Sequence, residues 1–137
     1  MERKQLIVIT MGDPAGIGPE IIAKTIDSGE LFPLCRPVVI GDASVMKKLI
    51  EEMRLSITVR PIASLAEADP AHGKLDVLDL KQVNLSHHKW GAPDLSSGKA
   101  VVAYITKAVE LAMSGEAAAI VTAPINKEMM NAAGHHY

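Results

Sequence analysis

What this sequence has little of removes whole classes of function. Cys35 is its one cysteine in 137 residues. No intramolecular disulfide and no Cys-x-x-Cys zinc site can form, so a reduced, cytoplasmic setting is expected. Aromatic residues make up 3% of the chain; Phe32, Trp90, Tyr104 and Tyr137 are too few for a base-stacking surface. Positive charge is not in excess, with 14 Lys and Arg against 16 Asp and Glu for a net charge of -2. That balance leaves no basic footprint for nucleic acid or an anionic membrane, and neither is expected as a partner. The apolar stretch from Leu6 to Met11 is far short of the ~18 residues of a membrane span. It runs straight into Gly12-Asp13-Pro14, and it reads as neither signal peptide nor anchor.

What is present is a large apolar fraction, 48% of residues, too high for a disordered tail. It consists almost entirely of Ala, Val, Ile, Leu and Met, which suit close packing of helices on a sheet. The length lies within the usual ~100 to 200 residues of one domain. Short β-branched runs alternate with longer helical patterns, the order expected of parallel strands joined by crossover helices, so the fold class is α/β.

Gln5 to Thr10 reads as a first strand buried on both faces, followed by a Gly/Pro loop from Gly12 to Gly18. A helix from about Pro19 to Asp27 follows, with Pro19 suited to its start and Ser28-Gly29 to its end. Pro37 to Ile40 is a second strand, with Asp42 placed to cap the next helix. Met46, Leu49, Ile50 and Met53 form one apolar stripe on that helix, and Lys47, Lys48, Glu51 and Glu52 read as its solvated face.

Ser56 to Arg60 and Lys74 to Leu80 are further strands, the second with an outward Asp76, and Ala63 to Gly73 is an exposed connection. Leu85 to Gly98 is polar and aperiodic and reads as a functional or interface loop, with Ser96-Ser97-Gly98 as a helix cap. Val101, Val102, Ile105, Ala108, Val109 and Ala112 predict a long helix ended by Gly115. Ala117 to Thr122 is then a buried strand, and Asn126 to Ala133 a last helix closed by Gly134.

Two segments offer chemistry. Gly12-Asp13-Pro14-Ala15-Gly16-Ile17-Gly18-Pro19-Glu20 lies between a strand and a helix, where open α/β sheets bind ligands. Its spacing is neither GxGxxG nor GxxxxGK[ST], so neither a Rossmann turn nor a P-loop is present. Gly16 and Gly18 permit close approach of a ligand to backbone, and Asp13 supplies a carboxylate; equally, the run can be a rigid turn in which Asp13 binds backbone N–H groups. Thr122-Ala123-Pro124-Ile125-Asn126-Lys127 also joins a strand to a helix. Thr122, Asn126 and Lys127 present a hydroxyl, an amide and a cation suited to an anionic, hydroxylated small molecule, unless Asn126 merely caps the helix and Lys127 is solvated.

The histidines are less informative. His87-His88 and His135-His136 are adjacent pairs whose side chains diverge, and His72 stands alone in a connection. They read as loop or surface residues, and no metal site is assigned in this chain. Ser96, Ser97 and Cys35 lack the context of a catalytic nucleophile.

Residues 9–22 (ITMGDPAGIGPEII), 38–42 (VVIGD), 96–112 (SSGKAVVAYITKAVELA) and 120–137 (IVTAPINKEMMNAAGHHY) together resemble the 4-hydroxythreonine-4-phosphate dehydrogenase family. The resemblance runs the length of the chain. It implies the three-layer α/β/α fold of isocitrate and isopropylmalate dehydrogenases, with residues 1–137 as the N-terminal part of a larger enzyme and both motifs lining the cleft. It also implies NAD or NADP, a divalent metal (Zn, Mg, Mn or Co) held by histidines, and a homodimer.

The implied reaction is oxidation, with decarboxylation, of a 4-phosphorylated hydroxy acid. Hydride passes to the nicotinamide while the metal polarises the alcohol. The substrate expected from the Ala-Gly-His-His-Tyr ending is 4-phospho-D-threonate or 4-phospho-D-erythronate; the alternative is 4-phosphohydroxy-L-threonine in vitamin B6 synthesis. Catalytic residues and metal ligands are expected beyond Tyr137, so the 137-residue chain is expected to be inactive alone. A reading from another class is a noncatalytic module that binds a small anion.

Overall fold

A computed structural model describes residues 3–125 and 127–134. Strands β1 (Leu6–Thr10), β2 (Arg36–Gly41), β3 (Thr58–Ile62), β4 (Lys74–Asp79) and β5 (Ala119–Thr122) form one sheet in the order β3-β4-β2-β1-β5. Every pairing is parallel. Helices α1 (Gly18–Ser28), α2 (Ala43–Met53), α3 (Leu95–Met113) and α4 (Lys127–Ala132) follow β1, β2, β4 and β5, and a connection with a short 3-10 turn at Leu65–Glu67 joins β3 to β4. The connections through α1 and α2 step along the sheet in one direction, and the connection through α3 steps in the other. Right-handed crossovers therefore place α3 on the face opposite α1 and α2, giving three layers. Consistent with this, α1 packs on α2, whereas α3 packs on β1, β2 and β5 and carries α4.

The core lies under the middle strands. Val8, Val38, Val39, Ile40 and Val77 are wholly buried, as continuous apolar runs in a two-sided parallel sheet should be. The sheet is covered unequally, however. β1 is buried on one face only, with Ile7 and Ile9 half-exposed on the other. β5 is an edge strand with one neighbour, and Ala119, Val121 and Thr122 are exposed, so the expectation of a buried last strand is overturned. An apolar run predicts a strand; only its place in the sheet decides whether it is covered.

Local signals set the helix ends well. Pro19 sits in the first turn of α1, and Gly29 closes that helix with φ 73° and an N–H bond to the Ile26 carbonyl. On α2, Met46, Leu49 and Ile50 are buried, but Asp42 does not cap. Its carboxylate turns instead to the amides of Gln82 and Val83, at 3.0 and 2.8 Å, and to the Tyr104 hydroxyl at 2.7 Å. Asp79, at the end of β4, accepts from the Ala43 amide in its place (3.2 Å).

Asp76 points inward rather than outward. It is 1% exposed and pairs with Arg60 at 3.0 Å while accepting from the Asp69 amide at 2.7 Å. On α3 the buried stripe is Ser97, Ala100, Val101, Tyr104, Ala108 and Leu111, displaced around the helix from the predicted one, and Val109 faces solvent. The helix carries Lys99, Thr106, Lys107 and Glu110 on one face and is apolar around the rest, a stripe too wide for periodicity alone to select its inner face. Its cap is Asp94, which exchanges bonds with Ser97 in a capping box; Ser96 and Ser97 lie inside the first turn. The Ser96 hydroxyl and the Ser97 amide hold the Asp94 carboxyl below its ordinary pKa.

Candidate functional site

The two chemistry-bearing segments meet because their strands are neighbours. β1 and β5 pair in register, Thr10 opposite Thr122, so the loops leaving them emerge side by side. One loop leads to α1 on one face and the other to α4 on the opposite face, which opens a crevice at the topological switch point of the sheet. It is an open crevice of about 530 Å³ lined by Asp13, Gly16, Ile17, Pro124, Ile125 and Lys127.

The Asp13 amide donates to the Pro124 carbonyl at 3.0 Å, tying the two rims together. That contact requires Gly12, absent from the sequence-based candidates: its φ is +75°, and a Cβ there would stand 2.3 Å from the Pro124 carbonyl oxygen. Its signal was legible only as the first glycine of a glycine-rich run.

Within the first loop, Asp13 is buried and accepts from the Ala15 amide at 2.8 Å, while its own carbonyl accepts from Gly16 at 3.0 Å. This is an Asx-type turn. The turn reading of Asp13 is the one observed, with one carboxylate oxygen serving the turn, and the residue also borders the crevice. Gly16 lines the crevice too. Gly18 does not: the space of its missing Cβ is filled by the Met11 carbonyl oxygen and Ala123, so it serves helix-to-strand packing.

Of the second segment, Lys127 reaches the crevice, whereas Thr122 borders a separate apolar cavity of about 530 Å³ with Ile7, Ile9, Ile21 and Val121. Asn126 lies outside the described residues, as do His135, His136 and Tyr137.

Against the other side of the glycine loop lies the segment read as a functional or interface loop. It contains a short 3-10 turn at Leu85–His87 and then crosses the loop, with the Gly91 amide donating to the Ala15 carbonyl at 2.6 Å and His88 Nε2 2.6 Å from the Pro14 carbonyl oxygen. A polar pocket of about 240 Å³ opens beside it, lined among others by Pro14, Asn84, His87, His88 and Asp94. Lys48 and Glu52, expected on a solvated face of α2, are engaged here: Lys48 Nζ lies 2.8 Å from His88 Nδ1, and Glu52 accepts from the Trp90 indole at 2.6 Å. Beneath, Tyr104 is wholly buried against Asp42; burial first, and the Asp42 carboxylate second, push its pKa far above the ordinary phenol value.

Among the described residues no group of three or more His, Cys, Asp or Glu side chains is placed to hold a metal ion. No helix among them is long and apolar enough to cross a membrane.

The fold is that of the doubly wound α/β domains, in which the crevice outside the carboxyl ends of the strands at a switch point is the usual place for a ligand. The family is narrower. Residues 33–137 match the family described as pyridoxal phosphate biosynthetic protein PdxA, and the chain belongs to that family.

A Symbiobacterium thermophilum protein named "Putative D-threonate 4-phosphate dehydrogenase" is 44% identical over 133 residues, 97% of this chain and 40% of that protein. A Halalkalibacterium halodurans protein of the same name is 40% identical, again over 97% of this chain and 40% of its own length. The crystal structure of a 4-hydroxythreonine-4-phosphate dehydrogenase from Burkholderia phymatum superposes with a TM-score of 0.94 at 38% identity, covering 99% of this chain and 41% of that one. The α/β fold expected from the resemblance is therefore the fold observed. The chain spans about 40% of the length of the curated relatives it matches.

Proposed function

We propose that the chain is part of a dehydrogenase that oxidises a 4-phosphorylated hydroxy acid, 4-phospho-D-threonate or 4-phospho-D-erythronate, with NAD or NADP and a divalent metal. The observation that carries this reading is the 44% identity, over nearly the whole chain, to a protein named for D-threonate 4-phosphate. The crevice supports it. Asp13 and Gly16 form one rim and Lys127 the other, a cation where an anionic substrate would enter. Gly18 backs the first rim from outside the crevice, its bare Cα fitting against the Met11 carbonyl oxygen and Ala123.

The described residues do not assemble a metal site, and the glycine loop lacks dinucleotide spacing. Their proposed work is binding and orientation: a preformed Asx-type turn presents Asp13 without rearrangement, and Lys127 balances substrate charge. We place the catalytic groups and metal ligands in sequence beyond Tyr137, propose a cytoplasmic homodimer, and expect no turnover from the 137 residues alone.

The second reading changes only the substrate. 4-Phosphohydroxy-L-threonine is favoured by the family description and by the name of the Burkholderia phymatum structure. The test is to produce the protein from the complete reading frame containing this chain and follow reduction of NAD and NADP with each of the three phosphorylated acids, with and without a chelator. Turnover of the D-threonate or D-erythronate ester, lost on chelation, is expected. Turnover of the L-threonine derivative alone selects the second reading, and binding of all three without nucleotide reduction replaces both with a noncatalytic anion-binding module.

A further inference from the structure

One polar cluster has no part in the crevice. His88, Lys48, Trp90 and Glu52 join the segment after β4 to α2, and that segment to the back of the glycine loop. Lys48 Nζ lies 2.8 Å from His88 Nδ1, donates to the His88 carbonyl at 3.2 Å, and stands 5.2 Å from the centre of the Trp90 ring. The Trp90 and His88 rings meet edge to face at 4.4 Å, and the indole N–H is anchored on Glu52. The other imidazole nitrogen, Nε2, is 2.6 Å from the Pro14 carbonyl oxygen.

Donor and acceptor chemistry selects one state of this ring. An ammonium group can only donate, and a carbonyl oxygen can only accept. Nδ1 must therefore carry the lone pair and Nε2 the proton. The reverse tautomer would leave an N–H facing the lysine and a lone pair facing the carbonyl.

We propose that His88, set as its Nε2–H tautomer by Lys48, is a positioning residue for the glycine loop. It anchors the Pro14 carbonyl while the neighbouring Gly91 amide anchors the Ala15 carbonyl. These two carbonyls belong to the central residues of the turn in which the Ala15 amide holds the Asp13 carboxylate and the Gly16 amide holds the Asp13 carbonyl. The strap thus fixes, from behind, the rim that presents Asp13 and Gly16 to the crevice. His88 does not border the crevice; it acts through the loop. The functional part of this inference rests on the crevice being the substrate cleft proposed above, whereas its structural part does not.

The test uses the full-length protein with three variants. His88→Ala removes the anchor, His88→Gln keeps a donor near the Nε2 position, and Lys48→Met frees the tautomer while leaving the ring. Amide hydrogen exchange at Ala15, Gly16 and Gly91 is expected to speed up about tenfold in His88→Ala, the scale of one lost hydrogen bond, and to return close to wild type in His88→Gln.

Nitrogen NMR of the His88 ring should show the proton on Nε2 in the wild type and, in Lys48→Met, an added minor Nδ1–H population, the Pro14 carbonyl alone then selecting the tautomer. In the dehydrogenase assay, His88→Ala should raise KM for the phosphorylated acid about tenfold with little change in kcat, with rescue by His88→Gln. A proton found on Nδ1, or exchange unchanged in His88→Ala, overturns the proposal. Altered exchange in a protein that turns over none of the acids upholds the strap and removes the dehydrogenase reading instead.

Discussion

The two flanks of the glycine loop are built differently. On the β2 side, Asp42 gathers two amides of the following segment and the Tyr104 hydroxyl, and the strap adds bonds to the Pro14 and Ala15 carbonyls. On the β5 side, the loop is tied by the strand ladder and by the Asp13-to-Pro124 bond, beside an edge strand whose Val121 is 52% exposed. One wall of the crevice is backed by side-chain hydrogen bonds centred on the buried Asp42 and Tyr104, and the other, among the described residues, by backbone pairing. A buried network is demanding, because each member left unpaired carries its full desolvation cost.

The sharpest way to break this contrast is Asp42→Ala. It strands the Tyr104 hydroxyl and the Gln82 and Val83 amides, and should cost about 3 to 5 kcal/mol in denaturant unfolding. Thr122→Ala, on the other flank, should stay within about 0.5 kcal/mol. Equal losses would erase the distinction.

Gly12→Ala attacks the Asp13-to-Pro124 bond that ties the loop to the β5 side. Its positive φ and the approach to the Pro124 carbonyl predict a loss of about 1 to 3 kcal/mol. A near-neutral result would mean that the two rims are not in contact.

The alkaline limb of stability tests the fixed wall. The folded Tyr104 phenol holds its proton more tightly than the unfolded one, first through burial and then through Asp42. The folded state therefore binds the extra proton above the unfolded phenol value of about 10, and stability should fall as pH rises beyond it, by up to about 1.4 kcal/mol per pH unit. Tyr104→Phe should flatten that limb relative to wild type; an identical slope in both proteins would remove Tyr104 as its source.

The smallest expected effect is at Thr10, whose buried hydroxyl has no partner among the described residues. Thr10→Val should be neutral or stabilising by up to about 1 kcal/mol. A clear loss in thermal unfolding would show that the hydroxyl is paired in solution.

Much of the fold was legible because its signals are local. Pro19 and Gly29 bracket α1, and Met46, Leu49 and Ile50 give α2 its inner stripe. The candidate loops were legible by composition and by their place after a strand. Three particulars were not. The inner face of α3 was ambiguous because apolar residues cover all but one face of that helix, so its neighbours, not its period, selected Tyr104 and Leu111 for burial. Asp42 stands at a cap position, yet distant amides and a tyrosine compete for its carboxylate and win. Lys48 and Glu52 look like solvated charges from their spacing and become partners only when the strap crosses them.

By itself the sequence determined which segments are strands and helices and which family the chain resembles. Only the tertiary structure decided that the loops after β1 and β5 share a crevice, that Tyr104 reaches Asp42 across 62 positions, and that His88 reaches Pro14 across 74. The reason is physical: periodicity and capping record a residue's neighbours within a turn or two. Contacts between distant segments depend on strand order and on the hand of the crossovers, which no local pattern carries.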